Sequence, residues 1–88
     1  MDDIIYLESE NVYLNIYTAK RHFGARTKLD DFISNFSHGD FFRVHRSFAV
    51  NVKHLETINS LTVIAGGREI PLHKVYKQDL LNRVNSIK

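Results

Sequence analysis

The chain has no cysteine among its 88 residues, which excludes a disulfide framework and removes the thiolates most structural zinc sites use. No apolar run approaches the ~20 residues of a membrane-spanning helix. The N-terminus, MDDIIYLES, is acidic and lacks the pattern of a secretory signal. A cytosolic, membrane-free protein is the expectation. No phosphate-cradling GxxxxGK or GxGxxG loop occurs. The five histidines, His22, His38, His45, His54 and His73, show no HxH or HxxxH spacing, so neither a metal nor another cofactor is expected. His45 and Ser47 lie close together, but the sequence implies no third group to complete a hydrolytic site. Catalysis and a small-molecule substrate are therefore not expected. Internal repeats, low-complexity tracts and linkers are also missing, leaving one small domain over residues 1–88.

What remains is ordinary in amount and uneven in placement. Hydrophobic residues make up 43% and charged residues 25%, the proportions of a globular chain with one core. The net charge is only +2. Asp2, Asp3, Glu8 and Glu10 crowd the first ten positions, whereas Lys20, Arg21, Arg26, Lys28, Arg43, Arg46 and Lys53 face only Asp30, Asp31 and Asp40 over residues 20–54. Such polarity suits a domain with one anion-facing side. A mixed-charge solvated surface is the competing explanation.

Period-two patterning predicts strands at Ile4–Leu7 and Val12–Thr18, the second with Val12, Leu14 and Ile16 on one face and Tyr13, Asn15 and Tyr17 on the other. In RTKLDDFISNFSHG, Leu29, Phe32, Ile33 and Phe36 keep helical spacing, predicting a helix over about 27–37 with a single buried stripe. Thr27 and Asp30 resemble a capping box, and Gly39 suits a left-handed terminator. LTVIA and REIPL flank Gly66-Gly67 as a hairpin, with Pro71 at the strand's exit. HKVYKQDLLNRVNSIK predicts a C-terminal helix over about 73–86, with Tyr76, Leu80, Val84 and Ile87 in one stripe. The two helices are too far apart in sequence for a helix-turn-helix, and the aromatic run of an RNA-recognition sheet is absent.

FFRVHRSFAVN resists a single reading. Phe42, Val44, Phe48, Val50 and Val52 alternate as one half-buried strand would, yet Arg46 occupies the face that should be apolar. Either Arg46 snorkels from that strand, or the chain forms two strands with His45-Arg46-Ser47 bending between them. In the second case a guanidinium, an imidazole and a hydroxyl project from a braced loop, a set suited to bases and phosphates.

Together with IIYLESENVYLNIYT before it and GGREIPLHKVYKQDL after it, FFRVHRSFAVNVKHLETI resembles the LytTR family of bacterial DNA-binding domains. The resemblance runs from Asp3 to about Val84. It implies a mainly β fold of elongated antiparallel sheets, with one short helix packed between sheets and a C-terminal helix. It further implies the output domain of a two-component response regulator, binding double-stranded promoter repeats. A homodimer on DNA is one form such binding would take. Loops would enter successive major grooves, using Asn11 and Tyr13, then His45, Arg46 and Ser47, then His73, Lys74 and Lys77. Family members commonly carry Ser-Arg where this chain has His73-Lys74, and lysine cannot make arginine's two-pronged contact. They also usually begin one strand earlier, implying an excised or minimal domain without its receiver. A β-sheet protein-interaction module, docking through Tyr13 and Tyr17, is the alternative.

Overall fold

The period-two segments fold into two antiparallel sheets. In this computed structural model residues 3–36 and 40–87 are described, the side chains of residues 36 and 85–87 excepted. Strands β1 (Ile4–Glu10), β2 (Tyr13–Thr18) and β3 (His22–Ala25) precede helix α1 (Leu29–Phe36). Next come β4 (Phe41–His45) and β5 (Phe48–Asn51), then a 3-10 turn at Val52–His54. β6 (Leu55–Ile58), β7 (Thr62–Ala65), β8 (Arg68–Pro71) and helix α2 (Lys74–Ile87) follow. One sheet has the order β3-β2-β1-β5-β4 and the other β6-β7-β8. The expected mainly β fold with two helices is the one adopted. No helix among the described residues is long and apolar enough to cross a membrane.

Two apolar clusters lie on opposite faces of the five-stranded sheet. Leu7, Leu14, Phe41 and Ala49 bury against Leu29 and Phe32 of α1. Ile5, Val44 and Val50 bury against Val63, Ala65 and Ile70 of the second sheet, with Leu72 and Leu80. A register shift between Ile4 and Tyr6 lets β1 serve both, because Ile5 and Tyr6 join the same cluster before alternation resumes at Leu7. Helix α1 therefore caps an outer face, which corrects the expectation that it packs between the sheets. One apolar stripe fits either position, and the sequence alone does not choose. The extents of 32 × 25 × 23 Å also make the molecule only modestly elongated.

Local details follow from side-chain chemistry. Asp30, expected to close a capping box with Thr27, pairs instead with Arg43 of β4. The terminator expected at Gly39 lies outside the described residues, as do the side chains of Phe36 and Ile87. Asn51, 1% exposed, donates to the Ile4 carbonyl at 2.8 Å and accepts from the Lys53 N–H at 3.0 Å. The asparagine that ends the family-like motif thus ties β5 to β1 and starts the 3-10 turn. Gly66 and Gly67 have φ of +56° and +78°, as a two-residue hairpin turn requires. A Cβ on Gly66 would also meet Ile5 Cδ1 at 2.7 Å. Strands β3 and β6 have no counterpart in the sequence reading: HFGA is almost wholly exposed, and LETI has no buried position.

Candidate nucleic-acid interface

FFRVHRSFAVN is two strands. β4 pairs with β5 in a hairpin whose two-residue turn is Arg46-Ser47. Arg46 is exposed at that turn, with Phe41, Val44, Ala49 and Val50 buried behind it. The main chain of the turn is held on several sides. Ser47 N–H donates to His45 Nδ1 at 3.1 Å, and Ser9 N–H donates to the Ser47 carbonyl at 2.8 Å. His45 also meets the Phe48 ring edge-on at 5.6 Å between centroids.

Two further segments arrive at the same end of the molecule. β1 pairs antiparallel with β5, Glu8 opposite Phe48, so the turn after Glu10 lies beside the turn before Phe48. That first turn holds Asn11 at φ +55°, a left-handed conformation that asparagine tolerates better than most residues. Tyr13, which follows it, is 51% exposed. The strands β2, β1, β5 and β4 are consecutive neighbours, so the two hairpin tips stand about 10 Å apart at ~4.8 Å per strand. On the far side of β4, His73 N–H donates to the Val44 carbonyl at 2.8 Å, which brings the start of α2 alongside.

His73 caps that helix, its Nδ1 accepting from Val75 N–H at 3.2 Å. Both His45 and His73 therefore use Nδ1 as an acceptor, which places the ring proton on Nε2 and leaves a donor there. Lys74 is exposed and Lys77, one turn on, is half-buried. Leu80 is fully buried, and Tyr76 and Val84 pack on the same core, which anchors the helix. Of the residues expected to act together, Asn11, Tyr13, His45, Arg46, Ser47, His73 and Lys74 thus lie at or beside turns at one end of the fold, with Lys77 one turn further along α2.

The acids near the first tip are engaged along β2. Glu10 accepts from Asn15 Nδ2 at 3.0 Å and Glu8 from the Tyr17 hydroxyl at 3.1 Å. Burial, then the bond to Glu8 and nearby negative charge, push the Tyr17 hydroxyl up to about 12. Tyr17 stacks on Tyr6 at 4.3 Å and on His22 at 5.1 Å, so it belongs to an intramolecular stack and is no free docking ring. Burial foremost also raises the Tyr6 hydroxyl, with Arg68 opposing the shift.

One interaction escaped the sequence reading. Arg43 donates through Nε to the His45 carbonyl at 3.3 Å, and its Nη2 bonds the Arg46 carbonyl while Nη1 bonds Asp30. Its signal was an arginine inside an apolar strand, three residues before the turn.

A β scaffold thus presents cationic and hydrogen-bonding turns at one end, an arrangement suited to contact with nucleic acid. The family model described as the LytTr DNA-binding domain matches residues 1–85, and the chain belongs to that family. Binding of double-stranded DNA in transcription regulation comes with that membership, and the docking-module alternative is not favoured. The chain is 31% identical over 84 residues to the Sensory transduction protein LytT of Bacillus subtilis (strain 168), covering 89% of this chain. It spans about a third, 35%, of that protein's length. A LytTr DNA-binding domain from Bacillus cereus has the same fold, with a TM-score of 0.80 at 22% identity, over 94% of this chain and 82% of that one.

Proposed function

We propose that this domain reads promoter repeats through the three adjoining tips, as the output domain of a two-component response regulator in the cytoplasm. Two copies sit on paired repeats, and no catalysis is involved. The observation that carries the reading is the convergence of the two hairpin turns and the start of α2. The Ser9–Ser47 and His73–Val44 backbone bonds produce it.

Within this reading Arg46 contacts a base, because its planar fork matches the O6 and N7 acceptors of guanine. Asn11, Tyr13, His45 and Ser47 hold register beside it. His73 offers its Nε2–H, while Lys74 and Lys77 act as point charges on phosphate.

Salt titration on a duplex enriched from a random pool tests the reading. With about 5–7 phosphates neutralised, log K falls against log salt with a slope of roughly −4 to −6. A flat titration, or a pool from which no sequence is enriched, contradicts it.

A further inference from the structure

We infer that Arg43 is a positioning residue for the Arg46 tip, and that Asp30 of α1 anchors it; this rests on the DNA-reading role of that tip. The turn Arg46-Ser47 contains no glycine, and the register of its hairpin shifts between Arg43 and His45. The carbonyls of His45 and Arg46 point toward the Arg43 guanidinium, which bonds both of them and reaches Asp30 with its remaining arm. Only a planar fork with donors on three nitrogens joins two successive carbonyls and a carboxylate in this way. A lysine there keeps the charge and loses the geometry.

The clamp ties α1 to the turn itself, beyond the packing of Phe32 on Phe41 that already joins α1 to β4. It fixes the main chain from which the Arg46 side chain departs. A base contact made from a fixed main chain does not have to order the turn at the moment of binding. Asp30 neutralises Arg43 in place, so the guanidinium acts on the turn and not as another phosphate contact. The side chain of Asp30 is 76% exposed and that of Arg43 28%. Exposed ion pairs contribute little, so the anchor is the weaker part of the clamp and the two carbonyl bonds the stronger.

The test compares the full chain with its Arg43→Lys, Asp30→Asn and Arg46→Ala variants. Each is titrated with a duplex enriched from a random pool by the wild type and with a scrambled duplex of equal length. Arg43→Lys should weaken the enriched duplex about tenfold, leave the scrambled one within about twofold, and keep the salt slope. Asp30→Asn should weaken the enriched duplex about two- to threefold, although it removes a charge that repels phosphate. That sign opposes simple electrostatics, under which the same change tightens both duplexes.

Thermal melts of each variant separate a loosened turn from a damaged fold, and Asp30→Asn tests the clamp should Arg43→Lys fail to fold. If Arg43→Lys leaves both duplexes unchanged, or Asp30→Asn tightens both, the clamp is wrong even while Arg46→Ala abolishes discrimination. If the wild type enriches no sequence, or Arg46→Ala retains full discrimination, the DNA-reading tip falls and the clamp falls with it.

Discussion

Two hairpins in this domain solve the same two-residue turn by different means. Between β7 and β8 the backbone does the work: Gly66 and Gly67 both take positive φ, and Gly66 leaves room for Ile5 of the facing sheet. Between β4 and β5 side chains do it: Arg43 ties down two carbonyls and His45 accepts from Ser47 N–H. The first turn serves the core, seating on Ile5. The second presents Arg46 in solvent and is held by Arg43 and His45. Stability and recognition are thereby lodged in different turns, so mutations at each should separate them.

The largest effect on folding is expected at Gly66. Gly66→Ala combines a left-handed alanine, about 1–2 kcal/mol, with overpacking against Ile5, about 1–3 kcal/mol. Gly67→Ala bears only the first cost, since nothing lies within 4 Å of its added Cβ. Chemical denaturation should rank Gly66→Ala below Gly67→Ala by about 1–3 kcal/mol, and trimming Ile5 to Val should narrow the gap. Equal losses would mean that the hairpin does not seat on Ile5. Among molecules still folded, neither change should alter the preference between DNA sequences.

Changes at the other end should do the reverse. Arg46→Ala should cost about 1–3 kcal/mol on an enriched duplex and less on random DNA, with an unchanged melting temperature. An equal loss on both reassigns Arg46 to the phosphate backbone. Lys74→Ala should weaken all duplexes alike and flatten the salt slope by about one unit.

The smallest effect concerns the Tyr6–Tyr17–His22 stack. The Tyr17 hydroxyl ionises near 12 in the folded chain against its ordinary value of 10.0. A raised value means that its contribution is complete below pH 10 and is lost as pH rises from there through about 12. Alkaline unfolding of Tyr17→Phe should be shallower across that window. An identical profile would contradict both the burial of the Tyr17 hydroxyl and its bond to Glu8.

Much of this was legible in the residues because the physics there is local. The stripe of Leu29, Phe32 and Ile33, the Gly-Gly turn and the buried Leu80 each rest on spacing within a few positions, whereas spacing left a bend at His45-Arg46-Ser47 as one of two readings. β3 left no trace because an exposed edge strand carries no apolar alternation, and β6 follows a 3-10 turn that breaks the period. The side of the sheet that α1 covers depends on the irregular register at Ile5, which no periodicity records. Arg46 drew attention as an arginine inside an apolar strand, but the strand ends at His45. The arginine that does sit inside it is Arg43, and its role emerges only when the turn folds back over it. The candidate site was legible as motif residues, while their shared end came from two long-range backbone bonds at Ser47 and Val44.

Backbone amide NMR during titration with an enriched duplex tests the shared end most directly. Shifts should appear together at residues 11–13, 45–47 and 73–77, while Gly66, Gly67 and the β3 edge stay still. Shifts at one tip alone, or centred on Gly66-Gly67 or β3, would contradict a single surface made of three tips.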